Sequence, residues 1–215
     1  MNISGFAAGP YKTNTYVITQ GDEAIVVDPG MHAHDKVVAE LDENGVGLKA
    51  VLLTHGHIDH SRDAGSLATK YDIPVYIHEG DEAYLKGAEG VREETLMLFD
   101  AKNMVPVRDL RHLEDGQILE IAGVTLRVAH APGHTMGSVL LIHDEVVFTG
   151  DVLFRGTIGR TDFPDSDNDA MLRSLAGPVW DLDDKLAVLP GHGPTTSVRG
   201  ERTTNPYLIQ AKQNG

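Results

Sequence analysis

Leu52-Leu53-Thr54-His55-Gly56-His57-Ile58-Asp59-His60 is an apolar run that passes directly into three imidazoles and a carboxylate. Its apolar part belongs to Ala50–Leu53, short enough for a strand and without polar alternation, as expected for a strand buried on both faces. A strand end is a rigid place from which to hang ligands. His55, His57, Asp59 and His60 converge only if the chain turns sharply, and Gly56 is expected to allow that turn through backbone angles other residues avoid. With this composition such a pattern arises by chance in roughly 0.3% of chains of this length.

The rest of the composition narrows the chemistry. The chain has 215 residues, with 11 His, no Cys, and 32 acidic side chains against 18 Lys and Arg. Without Cys there is no disulfide, no thiolate ligand and no Cys nucleophile, so nitrogen and oxygen must hold any metal. The formal charge of −14 argues against phosphate-backbone binding, because nucleic-acid surfaces are normally basic. No apolar run is long enough for a membrane span, and the start has no charged segment leading an apolar one. A cytoplasmic protein with neither nucleic-acid nor membrane partners is expected, while the oligomeric state is not legible.

Short apolar runs recur at 16–18, 24–27, 50–53, 75–77, 118–121, 124–128, 139–142, 146–149 and 186–189, and read as strands. Helical patterns fall at His34–Asn44, with Gly45 as a stop, at Asp63–Tyr71 and at Asp169–Leu175. Mixed in this way they predict one layered α/β domain over residues 1–215. Ile25–Gly30 and Val146–Asp151 are both apolar strands ending in an acid and a glycine, which suggests two related halves. Residues 79–106 are charged and weakly periodic. They predict one short helix and a long surface excursion, a candidate lid.

Three more strand ends carry donors: His134 in Pro132-Gly133-His134, Asp151 in Gly150-Asp151, and His192 in Gly191-His192-Gly193. Imidazole and carboxylate without sulfur suit Zn(II), Fe(II) or Mn(II). His130 is expected to be structural or to support a ligand, because Pro132 and Gly133 forbid a helix that would pair it with His134. His32, His34, His78, His112 and His143 are expected at the surface. Asp28 reads either as a turn former or as support for His57 or a neighbour.

In order and spacing, these motifs resemble the metallo-β-lactamase superfamily over nearly the whole chain. The resemblance implies an αβ/βα sandwich of two mixed sheets packed face to face, with helices outside and metals at one edge. It further implies that His55, His57 and His134 hold one cation. Asp59, His60 and His192 would hold the second, with Asp151 shared between them.

Asp at position 151, Leu153-Phe154, Gly159–Pro164 and Glu201–Pro206 are similar to short glyoxalase II-like hydrolases, without the C-terminal helical domain of the longer enzymes. The activity implied is hydrolysis of an anionic thioester such as S-D-lactoylglutathione, by a bridging hydroxide that Asp59 orients. The metals would be two divalent ions, zinc in the first instance.

Arg160 and Arg155 are the candidate anion contacts, though Arg160 reads equally as a structural partner of Asp162 or Asp165. Phe154 and Tyr84 are candidate pocket walls. The rival within the superfamily is a mononuclear Fe(II) persulfide dioxygenase using His55, His134 and Asp151. A phosphodiesterase or nuclease, and a non-catalytic metal-binding module, are weaker alternatives.

Overall fold

The computed structural model describes residues 1–87 and 92–214. The first part of the chain builds a six-stranded sheet in chain order: β1 (Asn2–Ala8), β2 (Thr13–Gln20), β3 (Glu23–Val27), β4 (Gly47–Leu52), β5 (Val75–His78) and β6 (Leu110–Leu113). β1 to β3 are antiparallel and β3 to β6 parallel, so the sheet is mixed. The second sheet contains β7 (Ile118–Ile121), β8 (Val124–His130), β9 (Val139–Ile142), β10 (Val146–Gly150), β13 (Ala187–Pro190) and β14 (Thr196–Ser197). Only its β10–β13 pair is parallel. A short hairpin, β11 (Leu153–Phe154) and β12 (Thr157–Ile158), follows β10. The two halves suspected from the strand ends at Asp28 and Asp151 therefore correspond to two sheets.

Both faces of the central strands are buried, which explains why they read as continuous apolar runs. Tyr16, Ile18, Ile25, Val27, Ala50 and Leu52 point inward and meet Leu126, Val128, Val139, Leu141 and Phe148 of the opposite sheet. Their neighbours Val17, Val26, Val51 and Leu53 point outward, against Val37 and Leu41 of α1 (His34–Asn44) and Leu67 of α3 (Ala64–Tyr71). On the other side Leu140, Ile142, Val147 and Val188 pack with Met171 of α6 (Asn168–Ser174) and Leu208 of α8 (Pro206–Asn214). This helix–sheet–sheet–helix layering is the expected sandwich. Among the described residues no helix is long and apolar enough to cross a membrane.

Phe148 is 1% exposed between the sheets, its ring 5.4 Å from that of Tyr16 at 64°. Phe148→Ala is expected to cost about 3–5 kcal/mol, because the sheets cannot close on the vacated volume. Urea unfolding should show the lower midpoint with an unchanged slope.

The strands aim their ends at one edge. β4 runs into His55, β8 into His134, β10 into Asp151 and β13 into His192. Cross-bonds fix these ends together: Val139 N–H donates to Thr54 O (2.9 Å), Gly191 N–H to Gly150 O (2.8 Å) and Asn14 N–H to Gly191 O (2.7 Å).

Residues 79–106 differ from expectation. Two helices, α4 (Glu82–Gly87) and α5 (Glu93–Leu98), and two 3-10 turns occupy the described part, and residues 88–91 lie outside it. Nor is the stretch merely superficial. Asp81 and Phe99 are buried, and Arg62 Nε donates to Phe99 O at 2.7 Å.

Candidate metal centre

Four imidazoles have Nδ1 tied and Nε2 turned into one cluster. His134 Nδ1 donates to Arg160 O (2.9 Å) and His192 Nδ1 to Tyr11 O (3.2 Å), because a carbonyl can only accept. His60 Nδ1 donates to Asp28 Oδ2 (3.0 Å). Thr54 Oγ1 gives its proton to Asp28 Oδ2 (2.6 Å), so it accepts from His55 Nδ1 (3.1 Å). Each bond fixes a tautomer and leaves a lone pair on Nε2, the usual preparation of a metal-binding histidine.

The lone pairs converge. Donor atoms of His55, His57 and His134 lie within 4.8 Å of one another, as do those of Asp59, His60 and His192. His134 Nε2 faces His57 Nδ1 at 2.9 Å, and His60 Nε2 faces His192 Nε2 at 3.3 Å. Asp151 stands between the triads. Its Oδ1 is 3.3 Å from His60 Nε2, and its Oδ2 is 3.5 Å from both His134 Nε2 and His192 Nε2.

Two of these atoms, His55 Nε2 and Asp151 Oδ1, are buried and have no hydrogen-bond partner. An orphaned lone pair and an orphaned carboxylate oxygen in the same cluster fit a bound cation, and the all-nitrogen-and-oxygen donor set fits Zn(II), Fe(II) or Mn(II).

Space is reserved by glycine. A Cβ on Gly191 would overlap Asp151 Oδ1 and His60 Cε1, and one on Gly150, at φ +47°, would overlap Thr54 Oγ1. Gly56 corrects an expectation: it is not among the residues of positive φ. It is required for room instead, since a Cβ there would lie 2.6 Å from Tyr84 Cδ2 and 2.9 Å from Asp81 O.

The field inside the cluster favours positive charge at one end. Burial alone would push the Asp59 carboxyl up, but His60 and His192 outweigh it and hold Asp59 well below the usual carboxylate range. Asp151 is lowered in the same way, mainly by His60. Burial likewise pulls His60 down, yet the charges of Asp59 and Asp151 raise it well above the usual imidazole value. His192 is raised by its bond to Asp59 against the pull of burial. At the other end His55 is lowered well below that value by burial and by His60, and His57 falls to about 3 through burial and His134.

A cation must displace protons from His60 and His192 over a wider pH range than from His55 and His57. On acidification the Asp59, His60 and His192 end is therefore expected to release its cation first. The metal-to-protein ratio after dialysis at descending pH checks this as two separated steps.

Other expectations are redistributed. Asp28 supports His60 and Thr54, not His57, while holding φ +51°. The Arg160 guanidinium is paired with Asp162 (2.8 Å) and lies 4.5 Å over the Phe163 ring. Its contribution to the cluster is its carbonyl, which orients His134. Arg155 is exposed on the β11–β12 turn. Tyr84 stands 5.4 Å from the His57 ring and Phe154 6.1 Å from the His192 ring, one beside each triad. His130 is structural, with Nε2 on Met136 O (2.8 Å). Its ring stacks at 4.1 Å on His78, which is half-buried where a surface position was expected.

Sequence reasoning missed Thr13, whose Oγ1 donates to Asp59 Oδ2 at 2.9 Å, and Asp81. It noted Glu201 and Asn205 without a role. They are one turn apart in and after α7 (Val198–Thr204), and they hold the hairpin through Gly156 N–H (2.8 Å) and Thr157 O (3.0 Å).

The sequence profile of the metallo-beta-lactamase superfamily matches residues 8–192. The chain belongs to that superfamily. Hydroxyacylglutathione hydrolase GloC of Haemophilus influenzae is 32% identical over 97% of this chain and 98% of its own length. The crystal structure of the BLEG-1 B3 metallo-beta-lactamase superposes with a TM-score of 0.85, at 31% identity over 96% of this chain and 99% of that one. That of TTHA1623 in a di-iron-bound form gives 0.81, at 35% identity over 95% and 99%. As a member of the metallo-beta-lactamase superfamily with such relatives, the chain is a metal-dependent hydrolase, and its His and Asp clusters are where divalent metals fit.

Proposed function

We propose that this protein is a dinuclear hydrolase of small anionic thioesters of the lactoylglutathione type. The observation that carries the reading is the Asp151 carboxylate between two complete triads, with Oδ1 toward His60 of one triad and Oδ2 between His192 of that triad and His134 of the other. A mononuclear iron oxygenase needs only His55, His134 and Asp151, and would leave Asp59, His60 and His192 converging without purpose. Similarity to the GloC hydrolase over almost the whole chain supports the thioester class.

Bound cations would supply Lewis acidity toward a carbonyl and a water-derived nucleophile near neutral pH. The chain's own residues do the rest. Asp59, anchored by Thr13 Oγ1, is placed to accept a hydrogen bond from the attacking water and so to aim it. The leaving thiolate, with a pKa of about 8.5, departs without a strong general acid. Tyr84 and Phe154 bound the approach on either side. A cavity of about 790 Å³ extends beyond Tyr84, lined by Leu85, Leu96, Met97, Met104 and Val105, and offers an apolar seat for part of the substrate. Of the two candidate arginines Arg155 is the one left to meet an anionic carrier, since Arg160 is engaged with Asp162, and Lys86 and Lys102 line the cavity itself.

The test combines metal analysis of the purified chain with a panel of lactoylglutathione, other glutathione thioesters, acyl-CoA and a β-lactam. Two metals and thioester turnover are expected. One iron per chain with oxygen uptake on glutathione persulfide would overturn the reading, as would turnover confined to the β-lactam.

A further inference from the structure

We propose that Asp81 is the positioning residue of the His55, His57 and His134 triad, a buried carboxylate that clamps the two loops presenting it. The proposal rests on the reading that this triad holds a cation. Asp81 is 1% exposed and begins no catalytic motif. Its Oδ2 accepts from Gly56 N–H (2.7 Å), between His55 and His57, and from Thr135 Oγ1 (2.6 Å), next to His134. Its Oδ1 accepts from Gly137 N–H (2.7 Å) on the same loop as His134. One side chain from β5's end thus ties the loop after β4, in the first sheet, to the loop after β8, in the second. The fit is tight, because a Cβ on Gly137 would lie 2.5 Å from Asp81 Cγ.

Asp28 is a second buried carboxylate beside the centre. It accepts from Thr54 N–H (2.8 Å), Thr54 Oγ1 (2.6 Å) and His60 Nδ1 (3.0 Å). Neither buried carboxylate touches a reacting atom: Asp81 holds the two loops that carry His55, His57 and His134, while Asp28 orients His60 directly and His55 through Thr54. Every partner of Asp81 is a donor, so an acceptor-only carboxylate is the group the position demands. Asn fails in either orientation: its amide NH₂ opposes Gly137 N–H in one flip and Gly56 N–H in the other, where only the Thr135 hydroxyl could turn to accept.

The test is a cobalt(II) titration of the full chain followed by visible absorption, with chelator competition, for the wild type, Asp81→Asn and Thr135→Val. Phe148→Ala serves as a control for lost stability away from the centre. Two equivalents are expected for the wild type. Asp81→Asn should keep one tight equivalent and weaken the other by about 10–100-fold, with its absorption band altered. Thr135→Val, which removes one of the three bonds, should weaken the same equivalent by less, and Phe148→Ala should weaken neither. Wild-type binding in Asp81→Asn, or equal loss at both equivalents, overturns the proposal. If Asp81→Asn does not fold, Thr135→Val decides, and an unchanged titration in that chain is the overturning result. A wild-type chain that takes up no cobalt sinks the cation reading itself, and does so before any variant is examined.

Discussion

Asp151→Asn is expected to reduce the metal content from two per chain to one or none and to bring thioester turnover to background. Asp151 faces both triads, with Oδ1 toward His60 and Oδ2 toward His134 and His192. Asn keeps the volume but removes the charge, and turns an NH₂ toward imidazole lone pairs that need a cation. Removing one partner of a buried charge pair costs about 3–5 kcal/mol, which corresponds to roughly 10²–10⁴-fold in cation affinity. Metal analysis by mass spectrometry after dialysis, with circular dichroism to show that the sandwich persists, measures the effect. Two tightly held metals in the variant would remove Asp151 from the centre.

Asp59→Asn is expected to lower turnover and to weaken cation binding at the Asp59, His60 and His192 triad. Its Oδ2 already accepts from Thr13 Oγ1 at 2.9 Å and lies 3.1 Å from His192 Nε2, so an amide of equal shape is held in place. The amide lacks the charge with which Asp59 orients the attacking water. Loss of that orienting charge is expected to lower the rate by about 10²-fold, and the fall should appear in kcat rather than in KM. Near-normal turnover with metals bound would limit Asp59 to a structural or ligand role.

The elements legible in the sequence were those with strong periodicity and buried faces. β3, β4, β9 and β10 read as apolar runs because each packs between a sheet and a helix layer, whereas β8 alternates, with Thr125 and Arg127 exposed. β1, β6, β11, β12, β14, α7 and α8 were not legible. They are short, edge-placed or partly exposed, and partners distant in sequence hold them. Asn205 Nδ2, for example, pins the β11–β12 hairpin from 48 residues away. The described part of residues 79–106 is mostly exposed or half-buried, as expected, but its second helix was missed, as was the burial of Phe99, which rests on single contacts such as the one with Tyr11 (5.0 Å) and leaves no periodic trace.

By itself the sequence determined the donor set. Seven His and Asp side chains at strand ends, with no Cys, specify nitrogen and oxygen chemistry, and a ligand's identity is a property of its residue type. Only the tertiary structure decided how those donors are held. The tautomer of His192 depends on a carbonyl at Tyr11, that of His134 on the carbonyl of Arg160, and the clamp at Asp81 on loops from two sheets. Hydrogen-bond direction and burial arise from groups brought together across the fold, and no local stretch of sequence encodes which ones will meet.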